Sequence, residues 1–388
     1  MFSDDWGRHP SSCQHLFRRI VPHAQVLWVN TIGLRMSRLS VHDIARGIEV
    51  VRGWLTPAPD TPSGGTRSPG AGAEEDSPMA AAPEVLRPAM WPSFRRRWLA
   101  ALNQQLLSRA VTKGLARSAP DKQAILVSTL PIVPGLFRQP RFLRKVYYCV
   151  DDFTEWHGID GEAMRRMETE TLKVCDLLIA ASTPILNTRG PLSSRAVLLT
   201  HGVDVDHFAT ATRNPTSPLA VLPHPIVGMF GLFDRRIDGA ALAAAARAMP
   251  AATFAVVGPL VDRSPDEFRD IPNLRFFGAV PYSTLPGHVA HFDVCILPYV
   301  LDATTDSINP LKLKEYLATG KPVVATPLPE AVTLGEYLIL APPDRFAQEV
   351  ERAAVNPPPR SPSLRPFLNG ESWDTKAALF LDQVLRGL

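Results

Sequence analysis

Short runs of consecutive apolar and β-branched residues recur along the first half of this 388-residue chain. They are AQVLWVN (24–30), IEVVRGW (48–54), QAILVST (123–129), KVYYCVD (145–151), DLLIAAS (176–182) and RAVLLT (195–200). Strands buried on both faces require such runs. Between them lie segments with helical spacing, notably 94–117 and 161–174. After a proline-rich connector, NPTSPLAVLPHP (214–225), the rhythm restarts with PIVGMFG (225–231), a helical 239–249, TFAVVG (253–258), NLRFFG (273–278), DVCILPY (293–299) and KPVVAT (321–326). Alternating strand and helix predicts an α/β chain with parallel sheets, and the restart predicts two such halves. The expected division is an N-terminal domain over 1–205, a C-terminal domain over 206–369, and a terminal helix over 370–388 that packs back toward the N-terminal domain. Within the first domain, 57–92 is rich in Pro, Gly, Ala and Ser and poor in large apolar residues, so it is expected to be a disordered insertion. Only Met1 and Phe2 precede the loop-like SDDWGRHPSS, so the first strand is either very short or begins upstream of Met1.

Composition narrows the class. Apolar residues make up 45% of the chain, yet no run of about 18 uncharged apolar residues predicts a membrane span. The start lacks the basic and apolar segments of a secretory signal. The four cysteines, Cys13, Cys149, Cys175 and Cys295, form no CxxC pair and read as buried thiols of a reducing cytosol. A net charge of +3 gives no basis for nucleic-acid binding. A cytoplasmic location follows.

The stretch Asp306 to Thr326, DSINPLKLKEYLATGKPVVAT, is the most heavily punctuated. Asn309 is a good N-cap, Pro310 suits a first helical position, and Gly320 followed by Pro322 ends a helix. A helix over 310–319 follows. Leu313, Tyr316 and Leu317 form its packing stripe, whereas Lys312, Glu315 and Thr319 share a second, presented face. A right-handed crossover places its N-terminus at the carboxyl edge of the sheet, where its dipole suits a phosphate. An ordinary solvated helix with a weak Lys312–Glu315 pair is the alternative.

SINPLKLKEYLATGKPVVATPLPE, preceded in order by PIVGMFGLFDRRID, FAVVGP, NLRFFGAVPYSTLP and FDVCILPY, resembles the donor-binding domain of GT-B glycosyltransferases of the retaining group-1 branch, the teichuronic-acid type. The resemblance covers about 226–330 and extends more weakly to KVYYCVDDFTEWHGID, ASTPIL and LLTHGVDVDHF. It implies a GT-B architecture, with two Rossmann-like domains facing each other across a cleft. It also implies a nucleoside diphosphate sugar as co-substrate, a saccharide or lipid-linked acceptor, and no cofactor or metal. In a Glu-x7-Glu motif of that family, the second glutamate holds the ribose hydroxyls and the first contacts the transferred sugar. Glu315 matches the second, and Ser307 stands where the first is expected, with Asp306 or Asn309 able to assist. Gly231 opens the loop at the diphosphate-contacting position, where the family's Gly-Arg pattern is replaced by Gly231-Leu232. Arg235, Arg236 and Lys312 are the candidate cations for the departing diphosphate. Leu311 joins the helix start, and Val280 and Tyr282 belong to the wall that holds the nucleobase.

On the acceptor side, Asp151 and Asp152 follow an apolar strand and could deprotonate or orient a hydroxyl; capping the next loop is the alternative for one of them. In the first loop, Trp6 and Gly7 allow close ligand approach, and His9 could bond a phosphate or sugar. Arg95, Arg96 and Arg97 beside Trp91, Phe94 and Trp98 suit peripheral docking of 91–98 on the anionic inner face of the cell membrane; a core-packed helix is the alternative. An inverting transferase, a sugar-nucleotide epimerase and a non-catalytic scaffold share the same fold and stay open at this point.

Overall fold

The structure, a computed structural model, describes residues 1–7, 11–30, 82–91, 97–156 and 158–388. The apolar runs assemble into two parallel sheets. The first contains β1 (Phe2–Ser3), β2 (Leu27–Asn30), β3 (Glu84–Leu86), β4 (Ala124–Ser128), β5 (Phe142–Cys149), β6 (Leu177–Ala180) and β7 (Ala196–Leu198), in the order β3-β2-β1-β4-β5-β6-β7. The second contains β8 (Ile226–Phe230), β9 (Thr253–Val257), β10 (Leu274–Phe276), β11 (Val294–Leu297), β12 (Val323–Ala325) and β13 (Ile339–Leu340), in the order β10-β9-β8-β11-β12-β13. Each sheet winds outward from a central pair, β1/β4 in the first and β8/β11 in the second. This is the doubly wound order that opens a ligand crevice at its switch point. The two halves have the GT-B architecture.

The strands are apolar throughout because helices cover both faces. Around the second sheet, Phe254, Ile296, Val324 and Tyr316 are buried in one continuous core. The first sheet packs Tyr147, Leu178 and Phe137 on one side and Trp28, Tyr148 and Ile179 on the other. All four cysteines are free and buried. The terminal helix Trp373–Leu385 lies on the helix Ser12–Ile20 of the first half, and Phe380 meets Phe17 edge-on at 5.6 Å.

One expectation changes. Residues 82–91 of the supposed insertion are ordered: β3 pairs with β2, and Met90 is 1% exposed. A three-residue edge strand, EVL, carries too little periodicity to stand out from its surroundings. The central strand β1 is only two residues long, held by Met1 and Phe2 carbonyls that accept from the Val29 and Thr129 amides. The expected strand at 48–54 and the stretch 57–81 lie outside the described residues, as do Arg95 and Arg96. No helix of the described residues is long and apolar enough to cross a membrane.

The two halves are joined by a buried ionic knot. Lys314 and Lys376 both bond the Glu371 carboxylate and the Thr200 hydroxyl, and Lys314 also donates to the His201 carbonyl. Lys314 is 4% and Lys376 5% exposed. Burial pulls the Lys314 ammonium down to about 8 despite its Glu371 partner. Removing the shared anion strands two buried cations, so Glu371→Ala should cost about 3–5 kcal/mol of stability. Urea denaturation measures this, and a midpoint unchanged from wild type would show that the knot does not stabilise the junction.

Candidate functional site

At the second switch point, three elements converge. Strand β8 ends at Phe230, just before Gly231, and β11 ends before Tyr299. The helix Leu311–Ala318, which follows β11, starts at the same edge. Gly231 has a φ of +96°, and a Cβ there would lie 2.3 Å from Lys312 Cε. Glycine is required both by that conformation and by the close passage of the lysine. Lys312 Nζ lies 5.8 Å from the Tyr299 ring centroid and is buried with no hydrogen-bond partner. Buried ammonium groups are normally paired, so an unpaired one at a helix start and glycine turn is chemically suited to an anion.

The helix start differs from expectation. Asn309 does not cap it: Pro310 takes the cap position and no side chain caps the helix. Asn309 Nδ2 instead donates to Glu330 Oε2 at 2.9 Å, and Glu330 Oε1 accepts the Thr183 amide at 2.6 Å. Beside it, Ser182 Oγ donates to the Ser307 carbonyl at 2.7 Å. Asn309 is thus drawn into a contact between the halves, which outweighs local capping. Ser307 is 6% exposed, and its Oγ is buried with no partner.

Glu315 is not on a presented face. It is 4% exposed, covered by Tyr282, whose hydroxyl donates to Glu315 Oε1 at 3.2 Å. Burial pushes its carboxyl up to about 7, against the pull of Tyr282 and Lys312. Helical spacing places a residue on a face; only the tertiary fold says whether another element covers that face. Here Tyr282 and the short helix Val205–Ala209 do so, and the Tyr282 ring stacks on His207 at 4.7 Å. Val280 packs against the second core, and Leu311 against the cluster containing Trp373.

The arginines separate. Arg235 is exposed. Arg236 makes a bidentate pair with Asp234 at 2.7–3.0 Å, lies 5.9 Å from the Tyr299 centroid, and remains charged. The aspartates separate as well. Asp152 binds Arg189 at 2.5 Å and caps Thr154, and although burial pushes its carboxyl up, these bonds bring it below its ordinary value. It is occupied as a loop and ion-pair anchor. Asp151 accepts from Trp156 Nε1 at 3.0 Å; burial pushes its carboxyl up, with Asp152 and Trp156 bonds and the Arg236 charge opposing. The electrostatic link from Asp151 to Arg236 runs from the first half to the second, across the cleft.

In the first loop, Trp6 packs edge-on against Trp28 at 4.6 Å, and Gly7, with φ +81°, donates to Gln14 Oε1 at 3.0 Å. His9 lies outside the described residues. A histidine that spacing did not single out sits here instead. His15 is 3% exposed, 5.1 Å from the Tyr282 ring, and its Nε2 is buried with no partner. His201, Glu330, Ser182 and Tyr299 were likewise unmarked, because each acts through contacts between segments far apart in sequence. Among the described residues, no group of three His, Cys, Asp or Glu side chains could hold a metal ion.

Part of the chain is similar in sequence, and the whole of it in fold, to known proteins. Residues 224–356 match the family model "Glycosyl transferases group 1". Over 133 residues, 33% of this chain, the sequence is 31% identical to TuaH of Bacillus subtilis (strain 168), a protein assigned provisionally by its name as a teichuronic acid biosynthesis glycosyltransferase. That match spans 34% of TuaH, about a third of its length. Among solved structures, Anabaena Alr3699/HepE, in complex with UDP and glucose, superposes with a TM-score of 0.64 at 13% identity, covering 100% of this chain and 98% of that one. A trehalose-6-phosphate synthase, studied for glycosyltransfer with retention, superposes with a TM-score of 0.62 at 11% identity over 100% and 98% of the two chains. At these identities the likeness establishes the fold.

The buried Glu315 generates a testable pH dependence. Its folded value of about 7 lies above the free value of 4.5. Between those values the folded chain keeps a proton that the unfolded chain has lost, so stability falls as pH rises from 4.5 to 7. The 2.5-unit gap corresponds to about 3 kcal/mol. Glu315→Gln should therefore be more stable than wild type at pH 8 by up to that amount, and the gain should shrink toward pH 5. Thermal unfolding at both pH values checks this; a gain independent of pH would contradict the burial of an ionisable carboxyl.

Proposed function

We propose that this chain, whose residues 224–356 form a group 1 glycosyl transferase domain, is a cytoplasmic glycosyltransferase. In this reading it transfers a sugar, with retention, from a nucleoside diphosphate donor to a saccharide or lipid-linked saccharide acceptor. The observation that carries the reading is the pairing, on one helix at the second switch point, of a buried carboxyl and a buried unpartnered ammonium, Glu315 and Lys312 Nζ. A ribose diol and a diphosphate present groups complementary to this pair.

Glu315 holds the ribose hydroxyls, its carboxyl oxygens accepting from them. Lys312, the Leu311–Ala318 helix dipole and Arg236 receive the charge that builds on the diphosphate as the glycosidic bond breaks. Ser307 Oγ, unpartnered and buried, meets a hydroxyl of the transferred sugar. Asp151 orients the acceptor hydroxyl from the first half, with its raised carboxyl suited to taking the proton. Closure of the halves excludes water and limits hydrolysis. Retention and a UDP donor are favoured by the structural neighbours, one studied for retention and one bound to UDP. Trp91 and Trp98, 55% and 61% exposed, give the chain an aromatic contact for the inner membrane face when the acceptor is lipid-linked.

A thermal-shift screen of UDP-, GDP-, ADP- and dTDP-sugars tests donor binding, since a ligand that binds only the native state raises the melting temperature. Calorimetry with the sugar nucleotide that binds should show Glu315→Ala losing most of its affinity while circular dichroism remains native. Unchanged affinity would sink the assignment. Lys312→Met should lower kcat by roughly 10²–10³, the loss typical of removing one donor to a developing anion; a kcat within twofold of wild type would remove Lys312 from the diphosphate site.

A further inference from the structure

The Tyr282 side chain lies where four segments meet. Its hydroxyl donates to Glu315 Oε1 at 3.2 Å. Its ring stacks on His207, whose Nε2 lies 3.0 Å from the Tyr282 carbonyl, so the backbone and ring base are anchored. On another side stands His15, with ring centroids 5.1 Å apart and planes tilted by 56°. His15 belongs to the first half, on the helix Ser12–Ile20, whereas Tyr282 and Glu315 belong to the second. The imidazole is itself fixed, stacked on Trp373 at 5.4 Å with planes 8° apart.

Two features of this arrangement are unsatisfied. His15 Nε2 is buried without a hydrogen-bond partner, a costly state for a polar atom. Burial, helped by Arg18 and Arg19, holds the imidazole down at about 3, so the ring is neutral and one nitrogen accepts. Conversely, Tyr282 occupies an oxygen of Glu315 that a ribose diol would need, so its hydroxyl must find a new acceptor once a nucleotide binds.

We propose that Tyr282 switches its hydroxyl between two acceptors, Glu315 when the nucleotide site is empty and His15 Nε2 when a ribose has taken Glu315, so that donor binding forms a hydrogen bond across the cleft. The inference rests on Glu315 being the ribose acceptor. No proton is transferred: one O–H···O bond is exchanged for an O–H···N bond, with the imidazole proton on Nδ1. His15 is thereby a positioning residue, coupling nucleotide occupancy to the closed arrangement of the halves. A ligand shifts such an equilibrium only by its differential interaction with the two states, and this bond supplies one.

Calorimetric titration with UDP, GDP, ADP and dTDP tests the switch in the full chain and in His15→Phe, His15→Gln, Tyr282→Phe and the His15→Phe/Tyr282→Phe double variant. For the nucleotide that binds, His15→Phe should weaken affinity about three- to tenfold, the effect of one neutral hydrogen bond. In the Tyr282→Phe background the same change should have an effect below about twofold, because the bond is already gone. His15→Gln, which keeps an acceptor, should lie closer to wild type than His15→Phe does. Small-angle scattering should show a nucleotide-induced contraction in wild type that is lost in His15→Phe and in Tyr282→Phe. Wild-type affinity in His15→Phe, or an undiminished loss in the Tyr282→Phe background, would overturn the switch while leaving the nucleotide reading intact. Failure of the wild-type chain to bind any of the four would overturn both.

Discussion

A carboxylic acid buried at a domain junction has to be either neutral or matched, and Glu315 meets this constraint by waiting in a half-matched state. Tyr282 gives it one hydrogen bond, and Lys312 gives it charge without contact, since the ammonium has no hydrogen-bond partner. Burial nevertheless wins over both and holds the carboxyl near neutrality of pH. A residue selected for stability alone would be a leucine, packed like Leu313 and Leu317 on the same helix. The polar group is intelligible as a site that acquires its full set of partners from a ligand.

The rest of the molecule holds this helix in place. Its first turn lies at the β8/β11 crevice because the strands it connects, β11 and β12, are parallel neighbours, which fixes the crossover. Its middle is tied through Lys314 to Glu371, which also pairs with Lys376, next to the point where the Val203 amide donates to the Glu371 carbonyl and the Val203 carbonyl accepts from the Trp373 amide. One helix therefore carries Lys312 and the buried Glu315 and anchors the halves to each other through Lys314.

Much of the fold was legible because buried parallel strands leave a local mark. VVGP, CILPY and PVVAT are apolar on consecutive positions, and every residue needed to recognise them is adjacent in sequence. The same locality explains the failures. EVL at β3 is too short for a period, and FS at β1 is a strand only because β2 and β4 flank it. Asn309 obeyed capping rules on paper but bonds Glu330, twenty-one residues on, in a contact that also engages Thr183 from the other half. Within the site, Glu315, Lys312 and Gly231 were visible through their motif, whereas His15 was not. A histidine within SCQHLFRRI carries no signal until Trp373 stacks on it and Tyr282 faces it.

Ser307 shows where local chemistry and tertiary placement give different information. The residue type alone indicates the loss of a carboxylate from the position expected to meet the transferred sugar. Its placement adds that the hydroxyl is buried, that its own carbonyl is held by Ser182 from the other half, and that the nearby Glu330 is already spent on Asn309 and Thr183. Two described carboxylates do not serve as substitutes: Asp306 is exposed at the end of the short helix Ala303–Asp306, and Asp234 is committed to Arg236. A hydroxyl can both donate and accept, whereas a carboxylate only accepts. Under the proposed function, a sugar meeting Ser307 would face less demand for charge complementarity than at a glutamate. The Ser307 carbonyl is held by Ser182 of the opposite half, so on that reading the contact depends on the two halves being in register.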